Sequence, residues 1–212
     1  MTATLHGYWR SSAAYRVRIA LNLKDVAYET VPVDLRAGAQ SAADYTALNA
    51  QGLVPFFDDG AVATGQSLAI IDYLDETHPA PPLLPADPAA RAAVRAAALA
   101  IACDIHPLNN LRVLRYLRQP LGHGQAEIDA WARHWIATGF AALEAGAAER
   151  SGQYLFGDAV TLADVCLVPQ MYNARRLETD LTAYPRLVAA DAALRELPAV
   201  HAARPEAQPD AD

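Results

Sequence analysis

The sequence predicts an α/β domain followed by an all-α domain. Three observations carry this. Strand and helix signals alternate over roughly the first 80 residues. A breaker-rich connection, Pro79, Pro81, Pro82 and Pro85, then interrupts the pattern. Beyond it the periodicity is helical, with no convincing strand. We therefore expect domains at 1–82 and 88–212. A chain of 212 residues that is 53% hydrophobic and 19% charged has enough apolar material for such cores.

Residues 3–9 read as a strand carrying Leu5, Tyr8 and Trp9, and it runs directly into Ser11 and Ser12. The serines open a helix over 12–24, in which Val17, Ala20 and Leu21 share a face at i, i+3, i+4. Residues 27–34 read as a second strand and 41–48 as a short helix. Residues 53–64 read as a hairpin turning at Asp59-Gly60, and 66–77 as a helix with Leu68, Ile71 and Leu74 along one side. Four helices are expected at 88–118, 125–149, 161–177 and 184–196, and a loose tail from Arg204 to Asp212. Thr161-Leu162-Ala163-Asp164 sets a hydroxyl at an N-cap and a carboxylate at N3, a capping-box pattern.

The formal net charge of −7 argues against a nucleic-acid footprint. No apolar run approaches the ~20 residues of a membrane span, and no targeting segment is visible. Cys103 and Cys166 are too few and too far apart for a disulfide framework. They read as inert core residues in a reducing, cytoplasmic setting. Lys24 is the single lysine, so arginine is the default cation here and each arginine must be justified by its position.

The segment Arg10-Ser11-Ser12 followed by Arg16-Val17-Arg18-Ile19-Ala20-Leu21 is the most informative one. A helix N-terminus carries about half a positive charge, and a serine there either caps the helix or donates a hydrogen bond to a bound anion. With Asn49, Val54-Pro55, Gln66-Ser67-Leu68-Ala69-Ile70-Ile71, the Thr161–Asp164 box, Leu167-Val168-Pro169-Gln170, Asp180-Leu181-Thr182 and Tyr184-Pro185, this order resembles the glutathione transferase superfamily, and most of all its zeta class. The resemblance covers nearly the whole chain. It implies a thioredoxin-like N-terminal domain, a helical C-terminal domain, glutathione as cofactor and a homodimer. Ala13 stands where the family motif commonly has cysteine, so a route through a protein thiol is in doubt; Ala50 stands where proline usually follows the asparagine.

The resemblance also implies the site. Ser11, with Ser12 beside it, would stabilise the glutathione thiolate. Pro55 would be cis, turning Val54 to pair with the cysteinyl backbone; the alternative is an ordinary trans proline at a strand start. Gln66 and Ser67 would receive the γ-glutamyl carboxylate at a helix start, which is compatible with Ser67 being only a cap. Gln40 would lie near the glycyl end.

On the long helix, Leu99, Cys103, His106 and Asn110 follow a 3–4 spacing. His106 and Asn110 either form an internal pair near Pro107 or touch glutathione or substrate, with Arg112 a neighbour. Arg10 at the strand end and Arg176, which falls with Val165, Val168 and Tyr172 on one helix face, suit a dicarboxylate. A buried carboxylate partner for Arg176 is the alternative, and Arg175 points away from that face. No metal site is expected.

The implied activity is cis–trans isomerisation of a maleyl keto-acid, maleylpyruvate or maleylacetoacetate, in aromatic compound degradation. A conjugating or dehalogenating transferase and a non-catalytic binding protein of the same fold are the competing readings, and fold alone does not separate them.

Overall fold

A computed structural model describes residues 2–148 and 152–211. The chain forms two compact units. One comprises residues up to Pro82 together with those from Glu196 onward; the other runs Leu83–Arg195.

The first unit is built on a four-stranded sheet in the order β2-β1-β3-β4. β1 (Ala3–Gly7) lies parallel to β2 (Tyr28–Pro32), with Leu5 opposite Thr30. It lies antiparallel to β3 (Phe56–Asp58), with Leu5 opposite Phe57, and β3 pairs antiparallel with β4 (Ala63–Gly65). α1 (Ser12–Leu23) supplies the crossover from β1 to β2, as parallel neighbours require. A 3₁₀ turn at Ala39–Ser41 and α2 (Ala43–Leu48) follow, and α3 (Ser67–Thr77) packs on α1. Leu5, Phe57, Ile19, Leu21, Ile70, Ile71 and Leu74 make the apolar interior.

α1 departs from the amphipathic helix anticipated: every residue from Ala13 to Leu21 is buried, arginines included. Arg16 and Arg18 are each 1% exposed, and both find internal acceptors. A guanidinium can be buried when oxygen atoms replace its hydration. The single lysine is internal too. Lys24 Nζ donates to Asp75 on α3 and to the Pro81 carbonyl, both at 2.5 Å, and its side chain is 0% exposed.

The tail expected to be loose is ordered and belongs to the first unit. α9 (Pro198–Ala203) packs against α1, and a 3₁₀ turn covers Pro205–Ala207. Asn22 Nδ2 donates to the Ala199 carbonyl at 2.9 Å. The division expected at 88–212 thus assigns these residues to the wrong unit, because their partners lie on α1, far back in the sequence.

In the second unit the helix expected over 88–118 is broken. α4 (Pro88–Leu99) passes into a π-helical turn, Ala100–Ile105, and a 3₁₀ turn, His106–Asn109, before α5 (Leu111–Arg118). Pro107 cannot donate a backbone bond, and the π-turn advances the phase of the side chains. The buried positions are therefore Ala98, Ile101, Ile105 and Asn109, not the series Leu99, Cys103, His106, Asn110. Cys103 is exposed, which corrects its reading as a core thiol; Cys166 is buried.

α6 (Gln125–Ala148) follows; its expected end at 149 lies outside the described residues. α7 (Leu162–Arg176), with α4 and α8 (Pro185–Arg195) against it, is buried without interruption from Leu162 to Met171. Its N-terminus is held by the anticipated box. Asp164 Oδ2 accepts from Thr161 N at 2.8 Å and Thr161 Oγ1 at 2.7 Å, and Oδ1 accepts from Leu155 N at 3.0 Å. Among the described residues, no helix is long and apolar enough to cross a membrane, and no cluster of His, Cys, Asp and Glu is arranged to hold a metal ion.

Candidate active site

β1 ends at Gly7, and the chain turns through Tyr8–Ser11 into α1. Ser11 N donates to the Tyr8 carbonyl at 2.9 Å, closing the turn. Ser11 is the N-cap, and its Oγ accepts from Ala14 N at 3.2 Å; Ser12 is the first helical residue. Ser11 Oγ uses a lone pair for the cap and still has a hydrogen to donate. The first turn of α1 carries no acidic side chain of its own to offset the positive end of the helix. Arg10 is exposed, and its guanidinium carbon lies 5.2 Å from the centroid of the Trp9 ring.

The Val54–Pro55 bond is cis. The loop leading to it is fixed by Asn49. The Asn49 amide donates to the Leu53 carbonyl at 2.8 Å, Tyr45 Oη donates to the same oxygen at 2.6 Å, and Asn49 Oδ1 accepts from Gln51 N at 3.2 Å. Asn49 thus has a scaffold role that the spacing alone did not disclose. A second cis bond, Ala80–Pro81, has no sequence signal to distinguish it from its neighbours.

Ser67 is not the cap of α3. Gln66 holds that position at φ 67°, a left-handed conformation uncommon for a side-chain-bearing residue. Its amide donates to Gln51 Oε1 at 2.9 Å. Ser67 Oγ instead accepts from Nη1 of the buried Arg16 at 3.3 Å. Arg16 and Gln51 therefore support these positions; the sequence placed Arg16 in its most informative segment without a role for it, and nothing in the sequence singled out Gln51. Gln40 is buried, and its Oε1 has no partner among the described residues. A buried amide oxygen without a partner is costly, and a ligand N–H would satisfy it.

In the second unit, His106 is half-buried in the 3₁₀ turn. Asn110 caps α5, its Oδ1 accepting from Arg112 N at 3.1 Å. The buried asparagine is Asn109, whose amide donates to the Ile105 carbonyl at 2.9 Å. Arg112 is exposed.

Of the two arginines that end α7, it is Arg175 that takes the buried carboxylate considered as a partner for Arg176. Arg175 meets the buried carboxylate: its Nη1 lies 2.7 Å from Asp191 Oδ2, with Arg195 Nε at 3.3 Å from the same oxygen. Burial raises the Asp191 carboxyl above the ordinary range, and the two arginines, Arg175 foremost, pull it back. Arg176 is exposed and does not project from an apolar face; its Nη2 donates to Oδ1 of the buried Asn173 at 2.8 Å. The helix continues through Pro169, and in its last turn Asn173 and Ala174 are buried, Arg175 is half-buried and Arg176 is exposed, so a face drawn from Val165 and Val168 does not stay buried as far as residue 176.

The glutathione S-transferase N-terminal domain family matches residues 5–82, and the C-terminal domain family matches residues 125–201. A probable maleylacetoacetate isomerase of Vibrio cholerae serotype O1 is 52% identical over 100% of this chain and 99% of its own. The chain belongs to the glutathione S-transferase family, in its zeta class. A holo structure of maleylpyruvate isomerase, described as a bacterial zeta-class glutathione S-transferase, is 50% identical, with a TM-score of 0.97 over 99% of this chain and 100% of that one. A maleylacetoacetate isomerase from Methylobacterium extorquens AM1, crystallised with malonate and glutathione bound, is 42% identical, with a TM-score of 0.95 over 99% of each chain. The fold class expected from the sequence, thioredoxin-like followed by helical, is the fold of these zeta-class members.

Proposed function

We propose that this protein is a glutathione-dependent cis–trans isomerase of a maleyl keto-acid, maleylpyruvate or maleylacetoacetate. The observation that carries the reading is the Ser11 hydroxyl at the start of α1, whose first turn holds no acidic side chain, next to Arg10, in a chain whose nearly full-length relatives bear isomerase names.

Ser11 donates a hydrogen bond to the glutathione sulfur. The helix end and that donor bring a thiol of pKa ~8.5 toward neutrality. Ser12 lines the same helix start. Val54 pairs with the cysteinyl backbone, and Pro55 shapes that segment. Gln66 and Ser67 receive the γ-glutamyl carboxylate, with Arg16 behind Ser67 adding positive potential. Gln40 meets the glycyl end. His106, Asn110 and Arg112 are assigned contacts with glutathione or substrate.

Glutathione supplies a sulfur nucleophile that adds to the activated cis double bond and is later expelled, so it is regenerated. Arg10 and Arg176 are assigned the two carboxylates of the substrate and the enolate-like charge that develops during addition. Malonate bound beside glutathione in the Methylobacterium relative supports a dicarboxylate. The absence of a thiol at Ala13 fits a mechanism whose only reactive sulfur belongs to glutathione. We further propose a cytoplasmic homodimer, which sedimentation at micromolar concentration tests.

The deciding experiment is turnover of each maleyl keto-acid with substoichiometric glutathione. Complete conversion to the fumaryl isomer with glutathione recovered unchanged is expected. Consumption of one glutathione per substrate would overturn isomerisation in favour of conjugation.

A further inference from the structure

The turn that carries Arg10 and Ser11 is held from a direction the sequence does not reveal. Trp9 N donates to Asp210 Oδ2 at 3.0 Å, and the Trp9 carbonyl accepts from Arg18 Nη2 at 2.9 Å. The N–H and C=O of one residue are thus gripped by side chains of opposite charge. Arg18 Nε donates in turn to the Ala203 carbonyl at 2.9 Å, and its guanidinium lies 5.3 Å from the Tyr15 ring centroid. Burial lowers Arg18 to about 10, against the opposing influence of Tyr28, Tyr15 and Asp210, so it remains charged at neutral pH. The indole of Trp9, 8% exposed, is the surface over which Arg10 lies.

We propose that Asp210 is a positioning residue. With Arg18 it clamps the backbone of Trp9 from both sides, and through Trp9 it sets both the Ser11 hydroxyl at the start of α1 and the guanidinium of Arg10. Residues 204–211 then act as a strap across the active turn. Hydrogen bonds to a charged group are stronger than neutral ones, and a clamp with one cation and one anion restrains both peptide groups that flank the Trp9 Cα. The proposal rests on the assignment of Ser11 and Arg10 made above, and its test separates the two.

The test compares Asp210→Ala and Asp210→Asn in the full chain. Amide hydrogen exchange at residues 9–11 is expected to accelerate at least ~10-fold in Asp210→Ala, with exchange elsewhere in β1 and β3 unchanged. KM for the maleyl keto-acid is expected to rise about 10-fold while kcat falls less, because a displaced Arg10 costs carboxylate binding first. The thiolate absorbance of bound glutathione at neutral pH is expected to fall. Asp210→Asn, whose amide oxygen still accepts from Trp9 N–H, should recover both constants to within about 3-fold.

Parent-like exchange and KM in Asp210→Ala overturn the proposal. If that variant does not fold, Asp210→Ser decides, since its hydroxyl oxygen sits one bond nearer the backbone than the lost carboxylate oxygen: faster exchange confined to residues 9–11 supports the strap, and parent-like exchange there overturns it. A parent protein with no glutathione thiolate signal removes the Ser11 assignment instead, and exchange at the turn still reports whether Asp210 holds it.

Discussion

The hydroxyl of Ser11 caps α1, and the proposed function gives it a second role as donor to sulfur; one substitution removes both and two measurements separate them. Ser11→Ala loses the cap on Ala14 N, which costs about 1 kcal/mol and appears as a lower denaturation midpoint. It also loses the donor to sulfur, and kcat/KM is expected to fall ~100-fold, the scale of one removed oxyanion donor. Ser11→Gly, a milder change at a cap, should restore part of the stability and none of the turnover. On the proposed assignment of Arg176 to a substrate carboxylate, Arg176→Ala is expected to lower kcat/KM at least ~100-fold, as loss of a charged partner does. Asn173→Ala, which only frees Arg176 Nη2, should cost several-fold, chiefly in KM; equal kcat/KM in Asn173→Ala and the parent would show that this bond does not orient the arginine. The turn from β1 into α1 and its serine cap were legible because strand end, helix start and polar residue types coincide there. The partners of Arg175 and Arg176 were not. Which arginine finds Asp191 depends on α8, and no local pattern encodes that.

Among the elements, the long helix of the second unit shows where periodicity fails. A 3.6-residue count carried through 88–118 puts Leu99 and Cys103 inside, but the π-turn at Ala100–Ile105 rotates the stripe. Ile105 then seats against α6 so closely that a Cβ built on Gly139 would lie 2.2 Å from Ile105 Cδ1. Gly139→Ala is expected to destabilise by ~1–3 kcal/mol, the usual scale of overpacking, and Ile105→Val in the same chain should recover part of it. Additive midpoint shifts in the double variant would mean that the contact is not what makes Gly139 necessary. The start of α7, by contrast, was readable from four residues, since a capping box is a local device. Its reach was not: Asp164 also holds Leu155 N across the preceding loop. Asp164→Ala is therefore expected to cost about 3 kcal/mol rather than the ~1 kcal/mol of a simple cap, since it strips three donors of a buried acceptor. Thermal denaturation of the variant checks this.

For the whole molecule, pH exposes a weakness in the first unit. His6 on β1 lies against Tyr45 and Phe56, with ring centroids 6.2 and 6.0 Å away. Burial lowers its pKa, and Asp58 opposes that only in part. The sign follows directly. An unfolded histidine takes up a proton near pH 6.5, while the folded one resists until lower pH, so stability present above ~6.5 is lost as pH falls toward the folded value. Urea midpoints between pH 7.5 and 5 are expected to decline, and His6→Phe should flatten that slope; an unaltered slope assigns it to other groups. The division into two units was visible in the run of prolines at 79–85. The return of residues 196–211 to the first unit was not, because its decisive bonds join positions 201 and 185 apart, Trp9 to Asp210 and Arg18 to Ala203. Pattern reading sees neighbours in sequence, and only the closed fold makes these neighbours in space.

The internal Lys24 has a practical consequence. An acylating reagent in solution meets no accessible ε-amino group while α1 and α3 stay together. The rate at which that one side chain becomes labelled therefore reports the opening of the first unit, a chemical clock for local unfolding that needs no engineered probe.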